Sequence, residues 1–362
     1  MSDFSMKGLG GAFVWIALLQ WGGSGLALAQ AAIECDTGVA ASDMLLFDAH
    51  NHLDTSTLAE GYDDVATLVS GGVEAGVLVL GPPDSDSFDF ALDLQAESPV
   101  AVRLFSMPAT ATVGGGVKTY TQDSVDAVEA ELEAGARGVG EMKLRHSGPP
   151  VLAAEIAANQ VFAMEIYALA ETRGVPVTIH FETREKSAPM VDVPSRIAEL
   201  TDALATYSTV TFIWAHAGDT GPLTVRSLIE AHDNLYVDLS TRNPYFIRGW
   251  PASLQSLSAG PTGTGLLKAD WQDLFSDYPN RFLFGLDLSN STRWSQLDDV
   301  VGYYRGVLEQ LDPDVAEKMA CKNAQMLFSA TDSEVPALGP LGGLLLILLA
   351  GASALVVLRS RT

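Results

Sequence analysis

The chain has 362 residues, 48% of them hydrophobic, and a formal net charge of −24 at pH 7. This length and apolar content allow a large buried core. The negative charge argues against nucleic acid as a partner, because it would repel a phosphate backbone.

Residues 1–29 have the features of a secretory signal. Lys7 supplies a weakly positive start, an apolar run follows at residues 13–19, and Ala27 and Ala29 form a small-x-small cleavage site. Cleavage is therefore predicted after Ala29, with an uncleaved anchor as the alternative. Residues 30–43 would then lead into the folded part.

From residue 44 to residue 330 the sequence alternates short apolar runs with segments of helical pattern. The runs are mostly apolar on both faces, which is typical of a parallel sheet covered by helices. Eight strands are predicted, at residues 44–49, 75–80, 100–107, 139–144, 175–180, 209–215, 235–239 and 281–286. Helices are predicted at residues 58–70, 124–134, 152–173, 193–207, 222–232, 266–278, 294–311 and 313–327.

Eight strand and helix units in a segment of this length favour one fold class. They predict a single-domain α/β fold, a (β/α)8 or TIM barrel, rather than an open doubly wound sheet. No phosphate-binding glycine motif follows the first strand, and the glycine run at residues 114–116 is interpreted as a flexible linker.

The tail after residue 330 differs in composition from the rest of the chain. Residues 331–340 form a linker with a short Val-Pro-x-Leu motif, residues 341–358 are almost uniformly apolar, and Arg359 and Arg361 follow. About 18 apolar residues can cross a membrane as a helix, so a transmembrane helix is predicted at 341–358 with the arginines in the cytoplasm. The tail resembles bacterial carboxy-terminal sorting signals of the exosortase-associated type, which implies sorting machinery as a partner.

The two cysteines are consistent with export to the periplasm or the cell surface, either anchored or released after processing of the tail. Cys35 precedes the first strand and Cys321 lies in the last predicted helix. The two ends of a closed barrel approach each other, so these residues could form a disulfide. A pair of unrelated small side chains is the alternative.

Four of the six histidines stand at the ends of predicted strands. They are His50 and His52 after strand one, His180 at the end of strand five and His216 after strand six, and Asp287 follows strand eight. The one-residue gap puts His50 and His52 on one face of an extended chain. Because the carboxyl ends of barrel strands meet at one mouth, these five side chains predict a site for a divalent metal.

These motifs also carry a family resemblance. FDAHNHL, HFE, WAHAG, NRFLFGLD and KNAQMLF resemble the amidohydrolase superfamily, in particular its amidohydrolase-related group, over nearly the whole predicted barrel. The resemblance implies a (β/α)8 barrel that holds one or two divalent metals, usually zinc. Carried over by position, the implied ligands are His50, His52, His180, His216 and Asp287.

Strand four leaves the bridging ligand open. Glu141 and Lys143 in VGEMKL are two residues apart and therefore share a face. The family uses either a glutamate or a carboxylated lysine here, and Glu141 is the favoured ligand, with Lys143 as the alternative bridge. A third interpretation is an ion pair between the two beside a single metal, which would free His216 for acid-base work.

The implied chemistry is hydrolysis of a small ester, lactone, amide or phosphoester. Asp287 is the candidate general base, and His216 is a candidate to steady the oxyanion. Asp48 or Asp238 could orient the imidazoles, and Arg145 and Arg242 are candidate contacts for an anionic substrate. The alternatives are a metal-dependent decarboxylase of the same superfamily and a surface-displayed metal-binding barrel without turnover.

Overall fold

The computed structural model describes residues 34–52, 58–71, 73–79, 85–98, 101–146, 154–185, 188–246 and 255–329. The predicted secretory signal, the sorting motif and the predicted transmembrane helix lie outside these residues. None of the helices within the ranges is long and apolar enough to cross a membrane.

Eight parallel strands form one sheet in chain order. They are β1 (Leu46–His52), β2 (Val73–Val79), β3 (Ala101–Ser106), β4 (Gly138–Lys143), β5 (Val177–His180), β6 (Phe212–Trp214), β7 (Leu235–Asp238) and β8 (Phe282–Leu283). The first and last strands also meet, because the Ala49 amide donates to the Phe284 carbonyl at 2.9 Å and the Leu286 amide to the His50 carbonyl at 3.2 Å. The predicted TIM-barrel-like α/β fold is confirmed.

The first seven helices lie between these strands along the chain, and the last four follow β8. They are α1 (Leu58–Ser70), α2 (Ser85–Glu97), α3 (Gln122–Ala134), α4 (Val161–Arg173), α5 (Pro194–Thr206), α6 (Pro222–Ala231), α7 (Ala269–Asp277), α8 (Ser291–Trp294), α9 (Leu297–Leu308), α10 (Pro313–Glu317) and α11 (Asn323–Ser329). A π-helical turn, Lys318–Lys322, joins the last two. The apolar faces of strands and helices form one continuous core, in which the Phe328 ring stacks on Phe47 at 5.3 Å between centroids.

Three sequence interpretations of local structure were wrong. Helix α2 was not predicted, and the helix predicted from residue 152 begins only at Val161, where the side chain of Gln160 caps the amide of Ala163 at 2.9 Å. The glycine run at 114–116 is the tight turn of a short β-hairpin, Ala111–Val113 paired with Val117–Thr119, and not a flexible linker. Gly115, with φ of 79°, supplies the left-handed conformation that this turn needs.

A disulfide joins Cys35 to Cys321 across a sequence separation of 286 residues, with 5.7 Å between the Cα atoms. Close to it, the Gly38 amide donates to Glu317 Oε1 at 2.5 Å, and Arg305 Nη1 donates to the Ala41 carbonyl at 2.7 Å. These three connections are called the terminal clamp below. The clamp ties the residues before β1 to the last helices of the described chain.

Candidate metal centre

The structure brings together the six side chains that the sequence singled out as metal ligands. His50 and His52 lie in β1, Glu141 in β4, His180 ends β5, His216 follows β6 and Asp287 follows β8. All six residues are buried, so the strand ends hold them in a closed space at one end of the sheet. These six side chains are called the histidine cluster below.

Glu141 lies between two groups of donor atoms. Its Oε1 is 2.6 Å from His180 Nδ1 and 3.3 Å from His216 Nε2, whereas its Oε2 is 3.7 Å from His52 Nε2. Asp287 connects the same two groups, with Oδ1 3.4 Å from His52 Nε2 and Oδ2 3.6 Å from His216 Nε2. Both carboxylates therefore reach donor atoms on the β1 side and on the β5 and β6 side, and Glu141 Oε1 also lies 3.8 Å from His50 Nε2.

Two of the imidazoles are oriented by Asp238, the last residue of β7, and Ser240 just beyond it. His50 Nδ1 is 2.7 Å from Asp238 Oδ2, and His216 Nδ1 is 2.8 Å from Ser240 Oγ. In both rings this leaves Nε2 on the side of the cluster. Asp238 was a sequence candidate for this role, whereas Ser240 was missed, because a serine after a strand carries no distinguishing signal. Asp48, the other candidate, accepts from the amides of His50 and Leu286 instead of contacting a ring.

The third imidazole, His180, has the reverse orientation. Its Nδ1 faces Glu141, and its Nε2 is 3.3 Å from Glu182 Oε1. The ring of His146 packs beside it, with 4.1 Å between the ring centroids. Sequence analysis assigned neither Glu182 nor His146 a contact with a ligand.

The backbone after β6 presents His216 through a left-handed turn. His216, Ala217, Gly218 and Asp219 have φ values of 58°, 51°, 59° and 51°, a conformation that costs energy for residues with a side chain. A Cβ on Gly218 would lie 1.9 Å from the Trp214 ring, so only glycine fits at that position. The strained turn thus holds the imidazole against the carboxylates.

The charges in the cluster push the pKa values of neighbouring histidines apart. Burial disfavours the charged ring of His50, but the carboxylates of Asp238 and Glu141 outweigh it and raise the pKa to about 10. Burial lowers the pKa of His52 to about 4, against the weaker pull of Asp287. Burial also opposes ionisation of Glu141, yet His180 and His50 hold its pKa well below the ordinary value. The metal-free cluster therefore stores positive charge on His50 and negative charge on the carboxylates.

The donor set fits a divalent cation. Three groups of ligand atoms each lie within 4.8 Å of one another: His50, His52 and Asp287; His50, His216 and Asp238; and Glu141, His180 and His216. Imidazole nitrogens combined with carboxylate oxygens suit zinc, manganese and similar divalent ions. The arrangement of these residues alone does not select among those metals.

Comparison of the sequence with models of protein families identifies the family. The family model described as Amidohydrolase matches residues 92–329, about two thirds of the chain. The chain belongs to the amidohydrolase family. It is a metal-dependent enzyme of the amidohydrolase superfamily, whose members bind divalent metal. No curated protein matches it in sequence.

Solved structures resemble this amidohydrolase in fold. An uncharacterised TIM-barrel protein, Bb4693 of Bordetella bronchiseptica, has a TM-score of 0.54 at 15% identity over 80% of this chain and 99% of that chain. A dihydroorotase from Campylobacter jejuni has a TM-score of 0.50 at 11% identity over 79% and 83% of the two chains. A dihydroxybenzoic acid decarboxylase from Polaromonas sp. JS666, solved with bound manganese, has a TM-score of 0.48 at 13% identity over 81% and 99%. At such identities the first two likenesses show the fold and not the reaction.

Asp287 is held by an arginine from its own loop. Arg293 Nη1 donates to Asp287 Oδ2 at 2.6 Å and to the Asp287 carbonyl at 2.7 Å. Burial opposes the charged form of Asp287, but Arg293 and His216 lower its pKa below the ordinary value. Sequence analysis did not single out Arg293, because the path of the chain beyond a strand is not set by residue periodicity. The consequence is a carboxylate that is ionised at neutral pH.

Of the two candidate ligands in β4, Glu141 contacts the imidazoles of the histidine cluster. Lys143 is close enough for its charge to contribute to lowering the pKa of His52, and it is more exposed than Glu141. Glu141 therefore occupies the position expected of a bridging ligand, and the role of Lys143 as the alternative bridge gains no supporting contact.

The two arginines predicted to contact substrate are engaged elsewhere. Arg145 forms salt bridges with Glu199 at 2.6 Å and Glu155 at 3.0 Å. Arg242 is 2% exposed, donates to the Thr220 carbonyl at 3.2 Å and lies over the Trp271 ring at 5.2 Å. These contacts fix loops to the body of the barrel, and they give no support to substrate binding by either side chain.

Proposed function

We propose that this amidohydrolase is an exported hydrolase that acts on a small ester, lactone, amide or phosphoester. The observation that carries the proposal is the position of Glu141, whose Oε1 lies closest to His180 and His216 while its Oε2 faces His52. In this proposal His50, His52 and Asp287 hold one divalent ion, probed first as zinc, and His180 and His216 hold a second. Glu141 is the ligand shared by both.

The chemistry of the proposal divides between the metal and the side chains. A bound divalent ion supplies Lewis acidity, which makes hydroxide available near neutral pH and polarises the substrate oxygen. Asp287 accepts the proton of the attacking water and passes it to the leaving group. Arg293 donates to Oδ2, whereas Oδ1 faces His52, so the two carboxylate oxygens of Asp287 have different surroundings. If only one ion is bound and His216 is not a ligand, its Nε2 can carry a proton and donate to the developing oxyanion.

Export is part of the proposal, and one structural feature supports it. The disulfide between Cys35 and Cys321 belongs to the kind of bond that persists in oxidising compartments such as the periplasm and the cell exterior. Together with the predicted signal at residues 1–29 and the predicted anchor at 341–358, it favours a location outside the cytoplasm.

The proposal is tested with purified His180→Ala and Asp287→Asn proteins. His180→Ala should lose metal and turnover together, whereas Asp287→Asn should keep at least one metal and lose turnover. Elemental analysis gives the metal content per chain, and a panel of esters, lactones, amides and phosphoesters gives the activity. His232→Ala, in which a histidine at the end of α6 is replaced, is the matched control and should resemble the unsubstituted protein. Unchanged metal content in His180→Ala would remove the basis of the proposal.

The same measurements distinguish the alternatives. One metal per chain with release of carbon dioxide would identify a decarboxylase, and His216 would then be available for acid-base work. Stable metal binding without turnover of any substrate would identify a metal-binding barrel, although a purely structural metal site is usually closed by four protein ligands. Two metals per chain with hydrolysis is the result expected here.

A further inference from the structure

Three of the imidazoles around Glu141, those of His50, His180 and His216, do not present the same nitrogen to the cluster. His50 and His216 turn Nδ1 outward and Nε2 inward, since Asp238 and Ser240 lie against their Nδ1 atoms. His180 is reversed, with Nδ1 2.6 Å from Glu141 and Nε2 3.3 Å from Glu182. The reversal requires an acceptor on the outer side of the ring, and Glu182 provides it.

We propose that Glu182 is a positioning residue that keeps a proton on His180 Nε2 and so leaves Nδ1 as the metal-binding atom. The inference rests on the proposed function, because it concerns one of the two proposed metal positions. A neutral imidazole carries one N–H, and the group that the N–H donates to decides which nitrogen remains free for a metal. A carboxylate accepts that N–H more strongly than a carbonyl or hydroxyl does.

The surroundings of Glu182 hold its backbone in place. Glu182 is 2% exposed, its backbone amide donates to the Arg145 carbonyl at 2.8 Å, and its carbonyl accepts from Arg196 Nη1 at 3.1 Å. It follows His180 by two residues, so in extended chain both side chains project to the same face. With the His146 ring packed against His180, the imidazole has little freedom to rotate and exchange its two nitrogens.

This arrangement makes the two proposed metal positions depend on different outer carboxylates. Asp238 acts on the β1 side through His50, and Glu182 acts on the β5 side through His180. Removing one outer carboxylate should weaken one ion and leave the other in place. A residue that only supported the fold would weaken both ions equally.

The test compares Glu182→Met, which removes the acceptor, with Glu182→Gln, which keeps an acceptor oxygen without the charge. Zinc binding is measured by competition with a chromophoric chelator. Glu182→Met should weaken one of two bound zinc ions by about 10- to 100-fold and leave the other unchanged, as is typical for loss of an outer partner of a metal-bound histidine. Glu182→Gln should recover most of that affinity. Glu185→Gln, on the exposed part of the same loop, is the matched control.

A second measurement shows directly which nitrogen of His180 is protonated and which binds the metal. In zinc-loaded protein with ¹⁵N-labelled histidine, His180 should show a protonated Nε2 and a metal-bound Nδ1, with the signals assigned by comparison with His180→Ala. In Glu182→Met this pattern should be lost or mixed with the opposite one. Glu182→Ala, which also removes the acceptor, provides the same test if the methionine variant does not fold.

Two different results would overturn the inference, and only one of them would also overturn the proposed function. Unchanged affinity and an unchanged nitrogen pattern in Glu182→Met would refute the role of Glu182 while the proposed function stands. If the unsubstituted protein bound no zinc, manganese or cobalt at all, the proposed function would fail together with the role of Glu182.

Discussion

The histidine cluster and the terminal clamp show opposite uses of polar groups. In the cluster, six ionisable side chains are packed together out of solvent at the carboxyl ends of the strands. In the clamp, a disulfide and two hydrogen bonds join distant parts of the chain close to the start of β1. The histidine cluster contains charges that are costly to bury, and the terminal clamp contains bonds that restrict the conformations of the chain.

The comparison teaches that stability and chemistry are located in different parts of this barrel. Buried carboxylates and imidazoles without their metal are a cost to folding, which the core and the clamp must offset. Changes in the cluster should therefore abolish activity with little loss of stability. Changes in the clamp should do the reverse.

The largest expected effect is that of Glu141→Gln. Loss of the charge between the two groups of donors should lower turnover about 1000-fold, which corresponds to roughly 4 kcal/mol of transition-state stabilisation. The free energy of unfolding of the metal-free protein should fall little or rise, because one buried charge is removed. Steady-state kinetics, metal analysis and urea unfolding measure the three quantities.

Lys143→Met is the matched variant on the same strand. It should keep both the metal and most of the turnover, because Glu141 and not Lys143 contacts the imidazoles. The opposite pattern, with metal retained in Glu141→Gln and lost in Lys143→Met, would show that the lysine is the bridge.

The clamp is tested by replacing both cysteines, Cys35→Ser with Cys321→Ser. A disulfide that closes so long a loop should contribute about 2–5 kcal/mol, mainly by restricting the unfolded chain. We expect the free energy of unfolding in urea to fall by this amount while turnover at 25 °C stays within about twofold, a change worth less than half a kcal/mol. Adding a reductant should reproduce the loss in the unsubstituted protein and change nothing in the double variant. Lost metal binding in the double variant would contradict the separation of the two regions.

The pH dependence of the stability of the metal-free protein tests how the histidine cluster contributes to folding. His52 has a pKa of about 4 in the folded protein and an ordinary pKa of 6.5 in the unfolded chain. Below pH 6.5 the unfolded chain therefore takes up a proton that the folded protein does not, and stability falls as the pH drops from 6.5 toward 4. His50 has a folded pKa of about 10, so its contribution is complete below 6.5 and is lost as pH rises toward 10. The cluster should thus give the metal-free protein its greatest stability near pH 6.5.

Urea unfolding at several pH values, with the metal removed by a chelator, checks this profile. His52→Gln should reduce the loss of stability below pH 6.5, and His50→Gln should reduce the loss of stability above pH 6.5. Metal binding should strengthen with rising pH, because the proton on His50 must leave before the ring can bind. A profile that stays unchanged in both variants would mean that other groups set it.

The fold could be predicted because its signals are local. Each strand is an apolar run and each helix has its own periodicity, so eight repeats predict a barrel without knowledge of contacts. Helix α2 was missed even though Phe88, Ala91 and Leu94 form a buried stripe, since aspartates and serines interrupt the segment. Its buried face became evident only against the neighbouring strand.

The ligands could be predicted for a similar reason, whereas their partners could not. A histidine at the end of a strand has its position fixed by the sheet, and the mouth of a barrel collects all such ends. Ser240 and Arg293 reach the cluster through loops whose course depends on backbone turns. Arg242 was expected at the mouth but packs on Trp271, because Thr241 before it adopts a left-handed conformation with φ of 59°. Sequence periodicity contains no information about such turns.

The smallest effect concerns the turn that presents His216, tested by Gly218→Ala. The added methyl group would meet the Trp214 ring, which cannot swing away easily because its Nε1 donates to the Phe181 carbonyl at 2.8 Å. Gly174→Ala is the matched control, since Gly174 has a similar φ of 65° but open space around its Cβ position.

Both alanine variants share the strain of a left-handed residue, about 1 kcal/mol, and Gly218→Ala should cost about 1–3 kcal/mol more through overpacking. Because the overpacked turn carries His216, turnover and metal affinity should fall in Gly218→Ala and not in Gly174→Ala. Thermal unfolding and chelator competition measure the two effects. Equal losses of stability in both variants with unchanged metal affinity would mean that the turn can shift without moving the imidazole. In that case the cluster would depend less on backbone strain than the close packing of Trp214 against Gly218 indicates.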